Sequence, residues 1–324
     1  MRNDIAYTKE MFEKAPQELR DSEKIKRPSI KYWADVWRRL KQNKLAMTGL
    51  VLLIILTIMS IIGTQISGYK YYEQNLKKIN VKPNKEYWFG TDELGRDLFS
   101  RTWLGTRYSL IIGILAALID FGIGVLYGGI AGMASPKVDS IMMRIAEVIY
   151  SIPYMLVVVL LSVVFSEAGA GTSMFVLILA MTITGWVPMA NLVRGQVLQL
   201  KESEYSLASE SIGASKGWIL RKHIMPNTLG PILVNLTLTI PVAIFSEATL
   251  GFLGLGLQPP KPSLGTLAND GLAVMPIGLF YQILIPAVLI SILMFSFNVL
   301  GDGLRDALDP RLRKQKEVEK WRSC

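Results

Sequence analysis

Cysteine occurs once in the 324 residues, as Cys324, and histidine once, as His223. A single cysteine excludes any disulfide within the chain. A zinc site of the usual kind needs three or four Cys or His ligands and is excluded by the same scarcity. A Ser-His-Asp hydrolase would have to rest on His223, which lies in a basic segment before an apolar run. Charge is thin too: Asp, Glu, Lys and Arg make up 19% of the chain, against about 25% in soluble domains. No Gly-x-x-x-x-Gly-Lys-Ser/Thr stretch occurs, so the chain has no phosphate-cradling loop for ATP. No catalytic residue and no metal ligand set can be nominated.

What is abundant is apolar. Hydrophobic residues reach 51% and the mean hydropathy is +0.34. Windows of about 20 residues carry almost no charge, enough for a helix to cross a hydrocarbon core about 30 Å thick. The pattern predicts an all-α membrane protein with six transmembrane helices. Residues 1–29 mix charges without periodicity and read as a flexible tail. Over 30–44, Trp33, Trp37 and Leu40 recur at helical spacing among Arg38, Arg39, Lys41 and Lys44. That suits an amphipathic helix in the headgroups, or a solvated helix leading into the first span. The first span is expected at 45–66, a polar extracellular loop at 67–107, five further spans within 108–303, and a tail at 304–324. The polar start of the chain argues against a signal peptide. Gly124, Gly128 and Gly132, four residues apart in the second span, predict a close helix contact. Proline stands in four spans, as Pro153, Pro188, Pro231 with Pro241, and Pro286, which favours a packed bundle whose neighbours satisfy the freed carbonyls.

The net charge of +9 comes from basic residues gathered at the chain ends and in connections between apolar runs. That distribution points to membrane topology and to no nucleic-acid partner. Lys137 and Arg144 lie in one connection, Lys201, Lys216, Arg221 and Lys222 in another, and Arg305, Arg311 and Arg313 in the tail. The third-to-fourth connection carries none and the fifth-to-sixth only Lys261, so both termini are expected in the cytoplasm. The long first external loop, with Lys70, Lys77, Lys78, Lys82, Lys85, Arg96, Arg101 and Arg107 among acidic residues, is the exception. Three carboxylates fall at or near membrane depth, where ionisable groups are costly. Glu147 is spaced to pair with Arg144. Asp120 and Glu247 are candidates either for the translocation path or for a structural polar contact.

Between the fourth and fifth spans, residues 201–227 contain a short amphipathic pattern. Tyr205, Ala208, Ser209 and Ile212 share one helical face, flanked by Glu204 and Glu210, and Gly213 stands where helices commonly end in a left-handed residue. The helix suits docking into a groove, with Ala208 and Ser209 permitting close approach. A plain surface helix joining two spans is the other reading.

This segment resembles the EAA loop of ABC importer permeases. Its frame is Glu-Ala-Ala, three residues, Gly, nine residues, Ile, one residue, Leu-Pro. Ala208, Ser209, Gly213, Met225 and Pro226 fit, while Leu207 stands in place of the Glu and His223 in place of the Ile. Gly213-Ala214 with His223, Pro226 and Asn227 is similar to the peptide-importer version. Three further stretches, Trp88 to Arg101, Glu247 to Pro260 and Asn298 to Arg311, resemble signatures of the C-type permease subunits of oligopeptide and dipeptide importers. Leu264 departs from the Trp expected there.

The resemblance implies the type I ABC importer permease fold and residence in the bacterial inner membrane. Its implied partners are a homologous second permease subunit, two cytoplasmic ATP-binding subunits that hold ATP and Mg, an extracellular peptide-binding protein and lipid. No cofactor is expected on this chain, and no catalysis. Oligopeptides are the expected cargo, with dipeptides or nickel as alternatives. An ATPase-independent channel or secondary transporter would also explain six spans, but not a docking helix. A membrane-embedded enzyme lacks its His, Cys and carboxylate cluster.

Overall fold

The computed structural model describes residues 32–167 and 174–308; the expected tails lie mostly outside the described residues. We number the helices α1 (Tyr32–Leu40), α2 (Lys44–Ile66), α3 (Leu98–Met133), α4 (Pro136–Tyr150), α5 (Tyr154–Glu167), α6 (Met174–Gly185), α7 (Val187–Lys201) and α8 (Glu204–Ser211). They are followed by α9 (Lys216–Ile219), a π-helical turn (Leu220–Ile224), α10 (Met225–Phe252), α11 (Leu264–Ala273) and α12 (Tyr281–Leu308). Among the described residues five helical stretches are long and apolar enough to cross a membrane. A sixth span forms if α4 and α5, bent by 71° to one another, are taken together. Pro153 sits in that bend, so the expected kink is a full break, with Ser151 and Ile152 outside both helices. The proline ring cannot tolerate the carbonyl four residues back, and it has no N–H to give.

The long helix α3 is the centre of the bundle and packs on α2, α6, α7 and α10. At about 1.5 Å per residue its 36 residues run about 50 Å, well beyond the hydrocarbon thickness. The helix therefore starts ten residues before the apolar run that begins at Tyr108. Its N-cap is Asp97, whose carboxylate accepts the Ser100 N–H at 2.8 Å. Thr91 and Asp92, residue types that also cap helices, are engaged in the preceding loop instead. Thr91 Oγ1 donates to Lys78 O at 2.6 Å and accepts from Val81 N–H at 2.9 Å. Asp92 accepts from the N–H groups of Leu94 and Arg96, both at 2.9 Å.

Gly124, Gly128 and Gly132 line the face of α3 against α7, where a Cβ would run into Met189, the backbone of Ala190 and Val197. The closeness of these two helices is what the small residues permit. On the other side α2 and α12 pack through Leu53, Leu56, Leu289, Leu293 and Phe297. Helix α1 lays Val36 and Leu40 against Ala307 and Leu308 at the end of α12. Its other face exposes Trp33 and Trp37, with the Lys41 ammonium 5.2 Å from the Trp37 ring.

Candidate functional site

Helix α8 lies at the end of the bundle where α3 finishes at Met133, about 50 Å along α3 from the polar loop before Leu98. Ser203 precedes it with extended backbone, and Ile212 and Gly213 end it. Gly213 takes φ +87°, the left-handed region open to glycine. The Ala214 N–H returns to Ser209 O at 3.0 Å, satisfying a terminal carbonyl.

The packed face of α8 is made of serines. Ser206 and Ser209 are its buried residues, and both spend their hydroxyls on nearby carbonyls, Ser206 on Leu200 O at 2.9 Å and Ser209 on Tyr205 O at 2.7 Å. Ser209 is thus nearly covered within this chain. The outward face carries Tyr205, Leu207, Ala208 and Ile212, with Ile212 85% exposed. Glu204 and Glu210 are exposed beside them, and Trp218 follows on α9. An open cavity of about 390 Å³ adjoins the helix, lined by Met133, Ser135, Lys201, Leu207, Glu210 and Ile219.

Pro226 and Asn227 open α10, directly after the π-helical turn. The Met225 N–H reaches Leu220 O, five residues back. Pro226 cannot donate at all, and Asn227 Nδ2 donates to His223 O at 2.6 Å. The His-x-x-Pro-Asn ending thus has a structural account: proline, with no N–H for the carbonyls of the preceding turn, follows the wide turn directly, and asparagine adds a side-chain bond to the His223 carbonyl.

The other sequence candidates are scattered. Asp120 lies in mid-α3 against Gly185, where no Cβ would fit, and its Oδ1 has no hydrogen-bond partner. Glu247 is completely buried in α10 and accepts the Ser109 hydroxyl at 2.6 Å, while Ser109 Oγ accepts the Leu264 N–H at 3.3 Å. These carboxylates meet α3 eleven residues apart, about 16 Å along the axis, so they do not form one site. Arg144 and Glu147 pair at 2.9 Å on an exposed surface.

Two charged contacts escaped sequence reasoning. Arg194 of α7 clasps Asp139 of α4 with Nε–Oδ1 at 2.5 Å and Nη2–Oδ2 at 2.6 Å. In the polar loop, Asp92 gathers Arg96 at 2.6 Å and Arg101 at 3.3 Å, and Arg101 also reaches Asp270 of α11 at 3.4 Å. Nearby, burial pushes the Asp97 carboxyl above its ordinary value against the pull of the Ser100 N–H. The loop is tied to α12 by Tyr281 Oη on Val81 O at 3.1 Å and Gln282 Nε2 on Thr91 O at 3.2 Å. Apart from Asp92 with Arg96 and Arg101, these partners are separated by 55 to 200 positions and leave no local pattern; the repeated Arg and Asp of the loop signature were the available signal.

A long-helix bundle with broken spans and a short helix projecting at one end defines a membrane permease. The family described as binding-protein-dependent transport system inner membrane component matches residues 124–314, and the N-terminal TM domain of oligopeptide transport permease C matches residues 31–83. The chain belongs to this family: it is a multi-pass inner-membrane permease subunit of an ATP-driven importer. It is 53% identical to the dipeptide transport system permease protein DppC of Bacillus subtilis, over 94% of each chain. It is 50% identical to the oligopeptide transport system permease protein OppC of the same organism, over 94% of this chain and 98% of that one. The inward-facing MetNI methionine ABC transporter shares the fold, with TM-score 0.53 and 22% identity over 63% of this chain and 94% of that chain.

Proposed function

We propose that this chain is the C-type permease subunit of a peptide importer, and that α8 is the element through which ATPase subunits drive it. The carrying observation is the apolar outward face of Leu207 and Ile212 on a helix beyond the spans, with the exposed Trp218 beside it. Exposed apolar groups at the end of a bundle, outside its long helices, call for a protein partner. Two cytoplasmic subunits would bind ATP and Mg, and a homologous permease subunit would complete the pathway. An external peptide-binding protein would deliver cargo. In this reading the chain performs no bond chemistry and its termini are cytoplasmic. The proposal is for peptides as a class, because relatives named for dipeptides and for oligopeptides stand at nearly equal identity. Glu247 is assigned a structural part, since it is fully buried and accepts the hydroxyl of Ser109, which in turn accepts the Leu264 N–H and so links α10, α3 and α11.

The test is cysteine cross-linking in the assembled transporter after Cys324 is replaced by serine. Ile212→Cys and Ser211→Cys should cross-link to an ATPase subunit, and Ser209→Cys, on the inner face, should react far more slowly. Absence of any cross-link from the outward positions, with the subunits co-purifying, would remove α8 from the interface. A chain that purifies with no ATPase subunit and still transports would favour the stand-alone channel.

A further inference from the structure

The chain's one histidine sits where the docking helix meets the fifth span. The His223 ring lies 6.0 Å from the Tyr205 ring of α8 at 44°, and 5.0 Å from the Trp218 ring of α9 at 69°. Both separations fall in the range of favourable aromatic pairs. The same residue is held from the other side by its backbone, since its carbonyl accepts the Asn227 amide in the π-helical turn. That turn is seated firmly: Ile219 and Ile224 are buried with Val193, Val197 and Ile232.

Helix α8 has little else to grip with. Its inward side chains are serines bonded to carbonyls of their own neighbourhood. Among the described residues no side-chain hydrogen bond or ion pair joins α8 to the π turn or to α10. The Tyr205 ring against His223 is the ring contact between them. Displacement of α8 will therefore be transmitted through aromatic packing into a stretch of helix whose hydrogen bonds are already in a wide register. Such single π turns inside helices occur frequently at functional sites.

Resting on the assignment of α8 as the ATPase-driven element, we propose that His223 is a positioning residue that relays α8 movement into α10, acting as the ring that meets both Tyr205 and Trp218. The shape and aromatic face of the ring do the work, not its protonation. Phenylalanine should therefore replace it, and a residue without a ring should not.

The experiment uses the complete transporter in proteoliposomes, measuring ATPase-subunit content, ATP hydrolysis and uptake of a labelled peptide. H223A should keep the ATPase subunits and hydrolyse ATP, but peptide moved per ATP should fall about tenfold or more, within the range of ordinary coupling energies. H223F should restore the ratio to within about twofold, and W218A should lower it in the same direction as H223A. If H223A does not accumulate, H223L, with no aromatic ring, is measured in its place against the same outcomes. A normal ratio in the ringless variant overturns the proposal, and so does failure of H223F to rescue. Loss of ATPase subunits from H223A also overturns it, because His223 would then hold the docking surface rather than relay motion. Failure of α8 itself is distinguished by the wild-type protein, whose Ile212→Cys form would not cross-link.

Discussion

Arg194 and Asp139 show how a single pair can hold two elements at an angle that hydropathy cannot specify. The guanidinium meets both carboxylate oxygens, so it fixes orientation as well as distance. The side chains remain 32% and 12% exposed, which discounts the energy from that of a dry pair. R194A should cost about 1–2 kcal/mol in thermal unfolding in nanodiscs. A double-mutant cycle with D139N should return a coupling energy near 1 kcal/mol, and additive losses would count against the pair. Glycine offers a sharper contrast. Gly128 has no room for a side chain against Ala190, whereas a Cβ at Gly122 meets nothing within 4 Å. G128L should lose about 1–3 kcal/mol and much of its yield of folded protein, and G122L should keep both. Equal tolerance of the two would refute the close contact between α3 and α7.

At the scale of elements, the spans were legible because lipid solvent imposes long apolar windows, and the short helix α8 was legible because Gly213 marks its end. The polar loop was not. Its order depends on Asp92 gathering two arginines and on contacts with Asp270, Tyr281 and Gln282, which are far away in the chain. Which residues of the short helix are covered was not legible either: in an eight-residue helix with serine on several faces, composition does not tell the covered side from the free one, and Ser206 and Ser209 prove to be the buried pair. The loop account predicts that D92N, which removes the charge facing two buried arginines, costs about 3 kcal/mol. It should open the lysine-rich stretch from Lys70 to Lys85 to trypsin. D270N, at a partly exposed position, should leave cleavage unchanged.

For the whole molecule, the two ends of α3 set the direction of the machine. With the polar loop outside and α8 in the cytoplasm, a cysteine at Lys82 should react with an impermeant maleimide in spheroplasts. One at Ile212 should react only in inside-out vesicles. The reverse pattern would invert the proposed topology. The π turn then has a consequence for how the two halves of this linkage are phased. An added residue in a helix advances the following face by about 100° and about 1.5 Å. Deleting one residue from Leu220–Ile224 should let the wide turn close to an ordinary α register with little rotation, because that turn already absorbs one residue. Deleting one from the α-helical stretch of α10 after Asn227 should instead swing the Tyr205 and Ile212 face round the axis of α10. That protein would keep every side chain on both surfaces and still present the wrong one: a gear cut correctly and mounted more than a quarter turn out of mesh.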